Sequence, residues 1–373
     1  MDQLKRATIE GFRSFERVEL DFAPLNVFIG ANGAGKSNLI DFFRMLNYAL
    51  SRGFQSPYMT DRGPASHILH FGPKHTPVIH AELEFQAEGG RNFYRFSLAH
   101  VRQDDTLLFT NEEVQFHPTE ATAPMRAIPV GPGGHRESGL VVDWVGGGPT
   151  VGFIKRLVGR CRVYQFHDTS VSSYLRGRPF VDQSQYLMAD GGNLAAVLYR
   201  LSCESPDIFA EIVRTLQAVL PWLEGFVLEP EGLAGKQVVP LRWRMAGKGD
   251  YEFVAGQLSD GSLRIMALVT LLLLPTEMLP GLLILDEPEL GLHPSAETVI
   301  AGLIKQVSRS CQVILSTQSA TFIDNFSPDD VIVSELTDGK TTFVRHSTTE
   351  LHKWLARYTL SQIWSKNIIG GRP

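Results

Sequence analysis

Gly30-Ala31-Asn32-Gly33-Ala34-Gly35-Lys36-Ser37 fits the pattern GxxxxGK[ST] position for position. The octet follows an apolar run, Leu25–Ile29, and precedes Leu39-Ile40-Asp41-Phe42-Phe43, whose apolar residues predict an amphipathic helix. Strand, glycine-rich turn and helix in that order give the string a mechanism. Glycines let successive backbone N–H groups converge on phosphate oxygens at a helix N-terminus, where the dipole favours anions. Lys36 would then reach the β- and γ-phosphates, and Ser37 would ligate Mg²⁺. The plainer alternative is a glycine-rich turn with an incidental lysine, and the flanking elements weigh against it.

A second stretch carries complementary chemistry. Leu282-Leu283-Ile284-Leu285-Asp286-Glu287 is an apolar strand closing on two carboxylates. A buried parallel strand ending in acids presents them at the carboxyl edge of the sheet, where α/β proteins bind ligands. Asp286 is the expected Mg²⁺ partner and Glu287 the group that polarises an attacking water. Alone, Asp-Glu after a strand is an ordinary solvated turn; beside a complete phosphate loop it reads as catalytic.

Outward from these two stretches the pattern alternates between strands and helices. Strand signals occupy residues 7–12, 18–22, 78–86, 92–100 and 312–316, with helical periodicity at 193–201, 207–220 and 294–308. Alternation at both ends predicts an α/β core with a mixed sheet. Between 101 and 150 the pattern loosens, punctuated by Gly131-Pro132-Gly133-Gly134 and Gly146-Gly147-Gly148-Pro149, and reads as strands with long loops, an insertion rather than a core element. Three lobes are expected. Residues 1–160 carry the phosphate loop and a β-rich subdomain, 161–258 a helical and β lobe, and 259–373 the acidic strand and the tail.

Composition narrows the classes. The chain has 373 residues, with 35 Lys+Arg against 40 Asp+Glu and a formal charge of −5. Net charge therefore does not drive nucleic-acid binding, although a local basic groove through Arg156, Arg160 and Arg162 remains open. Cys161, Cys203 and Cys311 form no CxxC pair, which argues against a zinc knuckle and suits a reducing compartment. The start, Met1-Asp2-Gln3-Leu4-Lys5-Arg6, has no apolar signal core, and the apolar run Ile265–Leu274 is too short to span a bilayer. A cytoplasmic protein without a membrane partner is expected.

Taken together, the motifs resemble the RecF/SMC-like branch of the ABC-type ATPases. Ile9-Glu10-Gly11-Phe12-Arg13-Ser14-Phe15 resembles the branch's first strand, and Gly30 to Asn38 its Walker A. Leu258-Ser259-Asp260-Gly261-Ser262 is similar to the signature motif, with Asp and Ser at its third and fifth positions. Glu289-Leu290-Gly291-Leu292-His293-Pro294 resembles the D-loop after Walker B. Ser316-Thr317-Gln318-Ser319 resembles the switch, with Gln where transporters carry His, and Trp354–Pro373 resembles the group's ending. The resemblance implies a P-loop fold of ABC-ATPase type with an antiparallel β subdomain and a helical lobe bearing the signature motif.

It also implies roles. Ser259 and Gly261 would bind the γ-phosphate held by a second copy of the chain, although Ser-Asp-Gly also caps helices generally. Gln318 would contact that phosphate or the water; as an amide it cannot titrate as a base. Gln165, in Val163-Tyr164-Gln165-Phe166-His167-Asp168-Thr169, is the candidate metal and water sensor, with His167 and Asp168 as alternatives. Arg13 would approach the nucleotide edge, or lie on the surface of a strand turn.

No stretch reads as a long coiled coil, and no acidic cluster after Ser319 reads as the Toprim nuclease of the overcoming-lysogenization-defect enzymes. The expected protein is an ATP-hydrolysing switch that dimerises around ATP. It would serve DNA repair or anti-phage defence, gating DNA or a separately encoded effector such as a nuclease. The alternatives are the ATPase subunit of a membrane transporter and a slow ATP sensor.

Overall fold

The structure, a computed structural model, describes residues 2–51, 53–54, 58–121, 123, 125–142, 148–170, 172–233 and 235–372. Fifteen strands among them build three sheets. In chain order they are β1 (Gln3–Phe12), β2 (Phe15–Asp21), β3 (Leu25–Ile29), β4 (Val78–Ala87), β5 (Gly90–Val101), β6 (Thr106–Pro118), β7 (Ile128–Pro129) and β8 (Cys161–Tyr164). There follow β9 (Leu223–Val227), β10 (Arg242–Met245), β11 (Glu252–Val254), β12 (Leu282–Asp286), β13 (Gln312–Ser316), β14 (Val331–Thr337) and β15 (Lys340–Arg345).

The central sheet runs β15-β14-β3-β13-β12-β8, parallel except for the edge strand β15. Both of its faces are covered, which is why its strands read as unbroken apolar runs. Val27, Ile29, Leu283, Leu285, Val313 and Leu315 point into one core, with the helices Leu194–Glu204, Pro206–Val219 and Asp260–Leu272. Phe28, Ile284 and Ile314 point into the other, shared with the antiparallel sheet β2-β1-β4-β5-β6-β7. Helix α1 (Lys36–Ala49) fills that second core with Leu39, Ile40, Phe42, Phe43 and Leu46. Phe42 is fully buried and meets the Phe12, Phe43 and Phe96 rings at 5.6, 5.7 and 6.4 Å. Truncating such a side chain costs about 3–5 kcal/mol. The phosphate loop is thus held between two cores, by β3 before it and α1 after it.

One expectation is corrected. Residues 106–118, within the stretch read as an insertion, form the longest strand of the antiparallel sheet, and β6 pairs with β5 along its whole length. Leu107, Phe109 and Val114 of β6 are buried in the core. Its exposed face is polar, and the glycines after it diluted the alternation that marks a half-buried strand. Gly146 and Gly147 lie outside the described residues. The stretches 1–160, 161–258 and 259–373 all contribute to one core: the central sheet takes β3 from the first, β8 from the second and β12 to β15 from the third.

Candidate active site

Register assembles the site. In the central sheet Phe28 pairs with Ser316, and Ser316 with Asp286, so the phosphate loop, the switch segment and the acidic turn leave adjacent strands at one edge. The Thr317 N–H donates to Phe28 O at 3.0 Å and the Glu287 N–H to Ser316 O at 3.0 Å, so the strand ends remain tied as they become loops.

The loop itself needs glycine at two places. Gly30 has φ 148°, and a Cβ there would lie 2.3 Å from Ser334 O; Gly35 has φ 100°, and a Cβ would lie 2.2 Å from Thr341 Oγ1. Thr341 Oγ1 donates to Ala34 O at 3.2 Å and Ser334 Oγ to Ile29 O at 3.0 Å, so β14 and β15 brace the loop from behind. Asn38 Nδ2 donates to Ser14 Oγ at 2.6 Å, tying the start of α1 to the turn after β1. Lys36 is buried, and its Nζ donates to Gly30 O at 2.5 Å and Ala31 O at 2.9 Å. Burial lowers the Lys36 pKa, while the carboxylates of Glu287 and Asp286 hold its charge. The loop lysine and the acidic turn therefore share one electrostatic environment.

On the acidic side every carboxylate is oriented. Asp286 Oδ1 accepts from Ser316 Oγ at 2.6 Å, and Oδ2 from Gln165 Nε2 at 3.2 Å. Gln318 Nε2 donates to Glu287 Oε1. Glu287 is left-handed, with φ 46°, a conformation that a bulky residue keeps only where its surroundings enforce it. Of the alternatives to Gln165, His167 Nε2 pairs with the backbone oxygen of Asp286 at 3.2 Å. Asp168 instead accepts the Ser170 N–H at 3.0 Å, and the Ser170 hydroxyl and N–H together lower its pKa.

These residues fit a bound nucleotide and its cation. A Cβ on Gly33 would meet nothing within 4 Å, so the front of the loop is open, and exposed Ser37 starts α1 beside it. Among the described residues no group of three His, Cys, Asp or Glu could hold a metal by itself. Mg²⁺ keeps one or two protein ligands and takes the rest from phosphates and water. Ser37, Asp286 and Gln165 would hold it.

Two family models match the chain: "AAA domain" over residues 6–121, and "AAA domain, putative AbiEii toxin, Type IV TA system" over residues 191–324. The DNA replication and repair protein RecF of Bacteroides fragilis is 47% identical over 51 residues, 13% of this chain and 14% of that protein. RecF of Magnetococcus marinus is 35% identical over 101 residues, 24% of each chain. The matched segments thus span a small part of the curated relatives. The solved Smc head bound to the C-winged helix domain of ScpA superposes over 94% of this chain and 99% of its own, with a TM-score of 0.59 at 16% identity. The Smc head domain of Pyrococcus furiosus with an extended coiled coil gives 0.59 at 14% identity, over 95% and 99%. The chain has the fold of an ABC-type ATPase head and resembles the RecF/SMC-like kind.

In this head the signature-like segment stands at the N-terminus of the helix Asp260–Leu272. Ser259 caps it, its Oγ accepting the Ser262 N–H at 3.2 Å. Gly261 packs on the D-loop-like segment: a Cβ there would lie 2.9 Å from Gly291 O. Arg264, one turn on, donates to Phe166 O, His167 O and Leu290 O at 2.8–2.9 Å, joining the Gln165 segment and the D-loop to the signature helix.

Arg13 is corrected. Its guanidinium pairs with Asp41 Oδ2 at 2.7 Å on α1. Asp41 also faces Arg62 at 3.1 Å and Arg44 at 3.9 Å, and accepts from Tyr58 Oη at 3.0 Å. The Asp41–Arg44 pair at i,i+3 was visible in the sequence; its partners from other segments were not. The basic trio also disperses: Arg156 lies over the Phe153 ring, Arg162 over Tyr186, and Arg160 donates to Leu279 O at 2.5 Å. No helix among the described residues is long and apolar enough to cross a membrane.

Proposed function

We propose that this chain binds ATP with Mg²⁺ and hydrolyses it to ADP and phosphate, using the hydrolytic cycle as a switch. The carrying observation is the convergence on one sheet edge of a loop lysine, Lys36, with Asp286 and Glu287, the latter held by Gln318. Lys36 offsets phosphate charge, and the N–H groups at the start of α1 hold the β-phosphate. Glu287 accepts a proton as water attacks the γ-phosphorus; the new P–O bond forms opposite the β–γ bridging oxygen, and that bond breaks to release ADP. Gln318 fixes the Glu287 carboxylate and the water. Mg²⁺, when bound, neutralises charge developing on the phosphoryl oxygens.

The exposed start of the signature helix supports a second element. Ser259 and Gly261 of one copy would contact the nucleotide on Lys36 of another, making an ATP-dependent homodimer. The RecF likeness supports a role in DNA repair, and the toxin-family match a role in anti-phage defence. The output would be exerted on DNA or on a separately encoded effector such as a nuclease, through differential binding to the two nucleotide states. Phosphate release by the pure chain with Mg²⁺ tests the core reading. Wild type should turn over, and Lys36→Ala should lose ATP binding by calorimetry. Normal affinity in that variant removes the proposal.

A further inference from the structure

The residue two after Glu287 is also a glutamate, and the sequence offers no reason to separate their roles. The structure does. Glu289 is buried, 7% exposed, whereas Glu287 is half-buried at the site. Glu289 Oε1 accepts from Thr317 Oγ1 at 2.5 Å, and Thr317 Oγ1 in turn accepts the Ser319 N–H at 3.0 Å. The Thr317 hydroxyl thus donates to Glu289 while accepting from Ser319. Glu289 Oε2 is buried, with no hydrogen-bond partner among the described residues. Two carboxyl groups of one turn therefore grip two consecutive residues of the switch: Glu287 takes Gln318, and Glu289 takes Thr317.

An ionised carboxylate with one oxygen buried and unpartnered carries most of its desolvation cost. A second negative charge two residues from Glu287 adds repulsion. Burial, then the charge of Glu287, push the Glu289 carboxyl up to about 7, against the lowering contacts from Thr317 and the Gln318 N–H. Charged and titratable groups on the surrounding elements include Asp286, Glu287, His293, Glu297, Arg264, His167 and Lys36, and Asp286 is bonded to Ser316 and Gln165. Glu297 is bonded to Thr321, His293 to Ser295, and Arg264 to three carbonyls. Glu287 is the one whose charge bears on Glu289.

We propose that Glu289 is a positioning residue for hydrolysis that works as a neutral acid, holding Thr317 so that Gln318 stays on Glu287 while only Glu287 carries charge in the turn. This rests on the ATPase reading above. Its ionisation puts a second negative charge beside Glu287 and the phosphate chain, so turnover falls as pH rises through neutrality.

The test compares steady-state ATP hydrolysis by wild type, Glu289→Gln and Glu289→Ala across pH. Glu289→Gln, a neutral isostere, should keep kcat within about twofold at about pH 6 and lose the decline that wild type shows above neutrality. Glu289→Ala should lose kcat by on the order of tenfold with KM for ATP within about twofold, as expected for an interaction used in the transition state. Glu289→Gln as slow as Glu289→Ala, or with the pH profile of wild type, overturns the proposal. A second readout needs no turnover: the infrared band of a protonated carboxyl should be present in wild type, absent in Glu289→Gln, and titrate near neutrality. No such band, or one titrating in the ordinary carboxylate range, overturns it too. Wild type that shows the band but hydrolyses no ATP removes the ATPase reading and leaves the protonation state standing.

Discussion

Gln165 donates from Nε2 to Asp286 Oδ2 at 3.2 Å, across the edge between the segment after β8 and the end of β12. The other end of the same amide, Oε1, accepts from Arg44 Nη2 of α1 at 3.4 Å. One side chain thus joins the helix that follows the phosphate loop to the acidic turn.

Gln165→Ala should raise the Mg²⁺ concentration for half-maximal ATP hydrolysis by roughly tenfold, the usual loss when a group orienting a metal ligand is removed. Nucleotide affinity without metal should be unchanged, because the loop contacts remain. Titration of Mg²⁺ in a phosphate-release assay checks this, and an unshifted midpoint removes Gln165 from the metal site.

Glu287→Gln should keep ATP binding and lose kcat by on the order of a hundredfold or more, the worth of a positioned base. With hydrolysis stalled, saturating ATP should hold the chain as a dimer in light scattering. A variant that stays monomeric counts against the ATP sandwich.

Sites completed in trans predict complementation. Lys36→Ala and Ser259→Arg chains should each be inactive alone. Mixed equally they should recover about a quarter of wild-type activity, since half the dimers are mixed and each carries one intact site. Ser259 caps its own helix, so Ser259→Gly, which costs a cap only a few tenths of a kcal/mol, controls for folding. Heterodimers with no recovered activity would mean that each site is complete within one chain.

Asp41→Ala leaves three arginines around an emptied position. Breaking a fully buried pair costs about 3–5 kcal/mol, and these guanidiniums keep partial exposure, so about 2–3 kcal/mol of stability should be lost. Denaturant unfolding measures it; a loss below about 0.5 kcal/mol would show that the arginines re-pair or are well solvated.

Glu289 predicts a pH dependence of stability. Its folded value of about 7 lies above the ordinary 4.5, so its contribution is fully present below about pH 4.5 and is lost as pH rises through about 7. The gap of about 2.5 units, at 1.36 kcal/mol each, bounds the loss at on the order of 3 kcal/mol. Glu289→Gln should therefore gain on wild type between about pH 5 and pH 8 in urea unfolding, and parallel curves would mean that the carboxyl is ionised throughout.

The sequence alone determined the elements that depend on consecutive residues. Gly30 to Ser37 between Leu25–Ile29 and an amphipathic helix is a local pattern, because steric freedom at glycine and apolar periodicity act within a few residues. The same holds for the apolar strand closing on Asp286 and Glu287, and these two stretches already pointed to a phosphate-binding α/β core. That β6 belongs to the core was obscured because a bulge between Phe109 and Asn111 interrupts its alternation and glycines follow it. What the tertiary structure decided is which of the chemically similar side chains meet. The register of β12, β13 and β3 put Ser316 on Asp286, Gln318 on Glu287 and Thr317 on Glu289. The packing of the turn after β1 on α1 sent Arg13 to Asp41. Each of these joins residues far apart in the chain, so no spacing in the sequence encodes it. Burial, which separates Glu289 from Glu287, is a property of position in the packed molecule and not of residue type.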